Sequence, residues 1–125
     1  MLEAIHLEKS NNTPLVRFDP ENNIFEIRGR SIPEDATKYY LPIMLWLEKY
    51  ISDPLDYTEF VVDLEYFNSS SAKRLMRILS MLEGIADKGK QIKILWLFQE
   101  GDELIEERGI EIQESLKIPF ELKSY

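Results

Sequence analysis

Four carboxylates, Asp63, Glu65, Glu100 and Asp102, fall near the ends of apolar runs in this 125-residue chain. Gathered in one place, such groups could hold magnesium, a hard cation that takes oxygen ligands. The rest of a magnesium-dependent acidic pocket is missing. No acidic pair follows the first strand-like run, and no lysine ends a later one. The one histidine, His6, lies in a short alternating run near the start, where a surface role is the ordinary one. The glycines (Gly29, Gly84, Gly89, Gly101 and Gly109) are scattered, so no phosphate-cradling loop forms. No nucleophile elbow is present either. These residues assign no catalytic side chain, no metal ligand and no cofactor, and the carboxylates read as solvated surface. An acidic enzyme working through Asp63, Glu65 or Glu100 would lack a positioned partner base or nucleophile.

The segment Asp63-Leu64-Glu65-Tyr66-Phe67-Asn68-Ser69-Ser70-Ser71-Ala72-Lys73 offers different chemistry. It joins a strand-like run to a helix-like one through a polar bend. Helix starts leave backbone N–H groups unpaired, and Asn or Ser capping one of them is worth about 1 kcal/mol. One cap suffices, so three successive serines leave two hydroxyls over. A phosphate on one of them would bring about −1.5 to −2 charges and three acceptor oxygens. The helix start supplies donors and a positive dipole end. Lys73 and Arg74 stand in the first turn, where acids are usual, and would add charge pairing. Spacing alone does not separate Ser69 from Ser70 or Ser71.

The surrounding elements follow from periodicity. Residues 3–8, 14–18 and 23–29 alternate as short strands, and Asp19-Pro20-Glu21-Asn22-Asn23 turns the second into the third as a hairpin. Pro33-Glu34-Asp35 opens a helix carrying Ala36, Tyr40, Ile43, Leu47 and Ile51 at helical spacing. Pro42 predicts a kink or a late start, and Asp53-Pro54 ends the helix. In 58–66, Thr58, Phe60, Val62, Leu64 and Tyr66 share one face. After Asn68 a helix aligns Leu75, Ile78, Leu79, Leu82, Ile85 and Ala86 on one stripe, and Gly89 closes it. Residues 91–98 read as a strand buried on both faces. Gly101-Asp102 opens a last helix with Leu104, Ile105, Ile112 and Leu116 inward, in which Gly109 costs about 1 kcal/mol. Ile118, Phe120 and Leu122 form a final strand. The alternation predicts one α/β domain over 1–125, with a mixed sheet, an N-terminal hairpin and right-handed crossovers. The pattern allows helices on one or both faces.

The formal charge is −8 and there is no cysteine. So acidic a chain disfavours nucleic acid and anionic membrane. Without cysteine, disulfides and thiolate sites are excluded. No signal-peptide pattern or bilayer-length apolar run occurs. The expectation is a cytoplasmic protein that docks on other proteins and does not insert in a membrane.

At these residues the chain resembles the SiaC-type regulatory phosphoproteins of bacteria. The resemblance spans nearly the whole chain. It rests on Pro14 to Pro20 (PLVRFDP), Tyr40-x-Pro42 with Trp46-Leu47, the segment Leu64 to Ser71, the strand with Trp96, and Ile118-Pro119-Phe120. It implies a STAS-like fold, similar to anti-sigma-factor antagonists. It also implies a non-enzymatic partner switch phosphorylated at the position of Ser69, with Ser70 and Ser71 as alternatives. The partner-binding surface it implies comprises Tyr66, Phe67, Asn68, Ser69, Ser70, Lys73 and Arg74. The implied partners are a protein kinase (SiaB-like), a PP2C-like phosphatase (SiaA-like) and a diguanylate cyclase (SiaD-like). In that family the unphosphorylated form activates the cyclase, raising cyclic di-GMP and promoting biofilm formation. The alternative is an antagonist that binds an anti-sigma kinase. Such antagonists usually carry Asp-Ser-Ser-Gly where this chain has Asn-Ser-Ser-Ser.

Overall fold

A computed structural model describes residues 2–125. Six strands form one sheet in the order of the chain: β1 (Ile5–Leu7), β2 (Leu15–Asp19), β3 (Ile24–Ser31), β4 (Tyr57–Phe67), β5 (Gln91–Phe98) and β6 (Phe120–Ser124). The first three pair antiparallel and the last three add parallel. The sheet is therefore mixed. Between them run α1 (Ala36–Ser52), α2 (Ser69–Met81), the short α3 (Glu83–Asp87) and α4 (Glu103–Ser115).

Strand order settles which face the helices cover. Each parallel crossover steps to the next strand in the same direction. Right-handed connections of that kind place every helix on one side. The buried set agrees: Val16, Phe18, Phe25, Ile27, Phe60, Val62, Leu64, Ile92, Ile94 and Trp96 all point to the helix side. Residues 91–98 are thus not buried on both faces. Leu95 and Leu97 lie half-buried on the open face, paired in register with Glu121 and Lys123 of β6.

Five further expectations are corrected. Tyr66 does not share the face of Leu64. Gly29 pairs with Leu64 but Arg30 pairs with Tyr66, so Glu65 is an extra residue in β4. That bulge shifts the alternation by one, leaving Tyr66 43% exposed and Phe67 buried. Ala86 is exposed because the helix after Asn68 breaks at Leu82, and the short α3 turns it outward. Leu104 is 50% exposed, since Ile105, Gly109 and Ile112 form the inward row of α4. In α1, Tyr50 rather than Ile51 completes the buried row. Pro42 leaves α1 unbroken. It lies on the exposed side, where the carbonyl it cannot bond faces water. Gly89 ends α3 with φ +78°, and the Gly89 and Lys90 amides bond to the carbonyls of Ala86 and Ile85.

A buried chain of hydroxyls ties α1 and β3 to the start of α2. Ser31 Oγ donates to Ser71 Oγ at 2.9 Å, so the Tyr40 hydroxyl, 2.5 Å away, donates to Ser31. Burial pushes the Tyr40 phenol up to about 12. The folded protein therefore holds this proton more tightly than the unfolded chain, whose phenol titrates near 10.0. The stabilisation is complete below that value and is lost as pH rises towards 12. Tyr40→Phe should cost about 1–2 kcal/mol at neutral pH and flatten this alkaline decline, as read by urea unfolding at a series of pH values.

Candidate functional site

The start of α2 is built around Asn68. Its side-chain oxygen accepts from the Ser71 amide at 2.9 Å and from Ser70 Oγ at 3.2 Å. Its carbonyl accepts from the Ala72 amide, and its own amide bonds to Ser31 at the end of β3. The cap is thus Asn68 itself, and the amides of Ser69 and Ser70 have no protein acceptor among the described residues.

The three serines have different surroundings. Ser71 is fully buried in the hydroxyl chain. It lies four residues before Leu75, on the apolar stripe of α2, and no kinase could reach it without unfolding the turn. Ser69 and Ser70 are both exposed. Ser70 opens on a shallow depression with Thr13, Glu34, Asp35 and Lys38, where two carboxylates would oppose a phosphate. Ser69 stands at the edge of a groove of about 910 Å³ between α2 and α4. Lys73 lines it from α2 and Arg108 from α4.

Of the sequence-predicted contact residues, Tyr66, Phe67, Asn68, Ser69 and Lys73 line this groove together. Ser70 and Arg74 do not. Phe67 contributes only as floor: it is 8% exposed and packs edge-on against Trp96. The wall from α4 was not among the residues singled out from the sequence. Leu104, Arg108 and Glu111 belong to the groove. The missed signal was Arg108, the lone cation of α4.

Charge is unevenly spread. In a chain of net charge −8, α2 carries Lys73, Arg74 and Arg77 and no acid. The helix side of the fold therefore has a basic ridge next to apolar Tyr66, Met76 and Leu104. Asp63 is on the open face, 2.9 Å from Arg28 and accepting from the Tyr125 hydroxyl at 2.7 Å. Asp102 caps α4 through the Ile105 amide. Among the described residues, no three His, Cys, Asp or Glu side chains gather to hold a metal. No described helix is long and apolar enough to cross a membrane.

Fold and groove together define a mixed α/β domain with a groove beside the start of a helix that follows a central strand. Residues 7–125 match the family model described as SiaC family regulatory phosphoprotein, and the chain belongs to that family. It is 26% identical to an uncharacterized protein of Pseudomonas aeruginosa strain UCBPP-PA14, over 99% of this chain and 98% of that one. Its structure is similar to apo-SiaC from Pseudomonas aeruginosa, with a TM-score of 0.87 at 25% identity, covering 97% of this chain and 98% of that chain. It is also similar to a chain in the crystal structure of the diguanylate cyclase SiaD in complex with its activator SiaC, from the same organism. There the TM-score is 0.89 at 26% identity, covering 97% of this chain and 99% of that one.

Proposed function

We propose that this protein is a non-enzymatic, cytoplasmic activator of a diguanylate cyclase, switched off by phosphate on Ser69. The observation that carries the reading is the placement of Ser69. It is exposed at the first position of α2, beside unpaired amides, at the edge of a groove whose walls hold Lys73 and Arg108. The family's description as regulatory phosphoproteins and the SiaC–SiaD complex of the Pseudomonas relative support it.

In the unmodified protein the groove offers the cyclase apolar surface flanked by Lys73 and by Arg108, whose guanidinium lies 3.4 Å from the Glu111 carboxylate. A dedicated SiaB-like kinase adds the phosphate. The dianion takes the free amides of the first turn and pairs with Lys73, one turn along, and with Arg108 across the groove. The surface loses its positive charge and its opening is filled, so the partner leaves without any refolding. A PP2C-like, SiaA-like phosphatase restores the docking form.

Phosphopeptide mapping by mass spectrometry on protein from its native cells tests the site. The expected result is one phosphate on Ser69, with Ser71 always bare. Ser69→Ala should co-purify with a GGDEF-domain cyclase and Ser69→Asp should not. Equal recovery by both variants would contradict the switch, and recovery of a sigma-regulating kinase instead would contradict the partner.

A further inference from the structure

The outer edge of β6 is the long open edge of the sheet, the opposite edge being the three-residue β1. Its backbone polarity follows from the ladder. The Pro119 carbonyl accepts from Ile94, the Tyr125 amide donates to Phe98, and the Tyr125 carbonyl accepts from Glu100. Odd-numbered residues of this strand therefore face β5. The backbone groups of Phe120, Leu122 and Ser124 face outward, and of these, among the described residues, the Phe120 carbonyl alone has a partner, Gln113 Nε2 at 3.0 Å. An unprotected edge of this kind is a template for another strand.

The side chains choose the strand. Around Leu122 the sequence Phe120-Glu121-Leu122-Lys123-Ser124 is complementary to itself. If a second copy lies antiparallel with the two Leu122 residues opposite, they exchange both backbone bonds as a hydrogen-bonded pair. Phe120 then faces Ser124 of the second copy with its outward groups also aligned. Glu121 faces Lys123 in the intervening closer pair, once on each side of the two-fold axis. Both charges lie on the open face, where Glu121 already meets Lys93 at 2.5 Å, so the ion pairs extend into a row across the axis. On the helix side, Gln113 shows which flank of α4 overhangs this edge. Ile110 lies on the same flank and is 39% exposed.

We propose that β6 is a homodimerisation edge, joining two copies into a continuous twelve-stranded sheet through an isologous contact centred on Leu122. The α2–α4 groove lies on the other flank of α4, so Ser69 stays accessible in both copies. The inference is independent of the phosphate switch.

Sedimentation velocity over a roughly hundredfold concentration range tests it. The unmodified protein should show a reversible monomer–dimer equilibrium. Glu121→Lys and Lys123→Glu each set like charges opposite one another twice, and each should weaken the dimer at least about tenfold. An equimolar mixture of the two variants places two positive charges opposite two negative ones and should recover dimer as a heterodimer. A wild-type protein that stays monomeric over the whole range overturns the proposal. So do single variants that associate like wild type, or a mixture that recovers nothing.

Discussion

Ser71→Asp should destabilise the protein by about 3 kcal/mol, while Ser69→Asp, two residues earlier, should leave stability unchanged or slightly raised. Ser71 is fully buried, and its hydroxyl ends the chain from Tyr40 and Ser31. A carboxylate there must fit two more heavy atoms among closed-packed neighbours and give up its water. The helix dipole returns at most about 1 kcal/mol of that loss. Ser69 is exposed, and α2 has no acid in its first turn, so an added carboxylate meets only free amides and Lys73. Urea unfolding of the two variants reads the contrast directly. Equal stabilities would mean that the first turn of α2 is not anchored through Ser71. The contrast also bears on function: any loss of partner binding by Ser69→Asp occurs in a fully folded protein.

Gly109→Ala should lower stability by about 2 kcal/mol, although alanine is the better helix former by about 1 kcal/mol. A Cβ at position 109 would stand 2.6 Å from the Trp96 indole and 2.9 Å from Leu122. The indole cannot retreat. It is 1% exposed, its Nε1–H donates to the Ile105 carbonyl at 3.0 Å, and its ring lies between Phe67 and Phe120. The relief has to come from lifting α4 off the sheet, which also moves Leu104 and Arg108, the far wall of the groove. Unfolding midpoints of Gly109→Ala and wild type measure the loss. A gain in stability would show that α4 rides higher on Trp96 than the structure has it.

These two sites show what the amino-acid order reveals and what it hides. The hairpin turn at Asp19–Asn23, the start of α2 at Asn68 and the end of α3 at Gly89 are local, and their chemistry is written in a few adjacent residues. The burial of Ser71 was not singled out from the sequence: it depends on Ser31 and Tyr40, distant in the chain, meeting its hydroxyl. The bulge at Glu65 was not legible either, since it exists only against β3, and it alone decides that Tyr66 faces out and Phe67 in. The same holds for Gly109. As a local residue it weakens a helix; only beside Trp96 does it become the condition for close packing. That packing sets the rotation of α4, and with it the wall that turns a serine-capped helix start into a groove. One-sided helix cover likewise required the full strand order.

Calorimetric titration of the cyclase with one preparation of this protein, before and after stoichiometric phosphorylation of Ser69, tests the switch most directly. The account predicts saturable binding by the unmodified protein and at least about a hundredfold loss with the phosphate in place, restored by a PP2C-type phosphatase. Binding of equal strength in both states would contradict it.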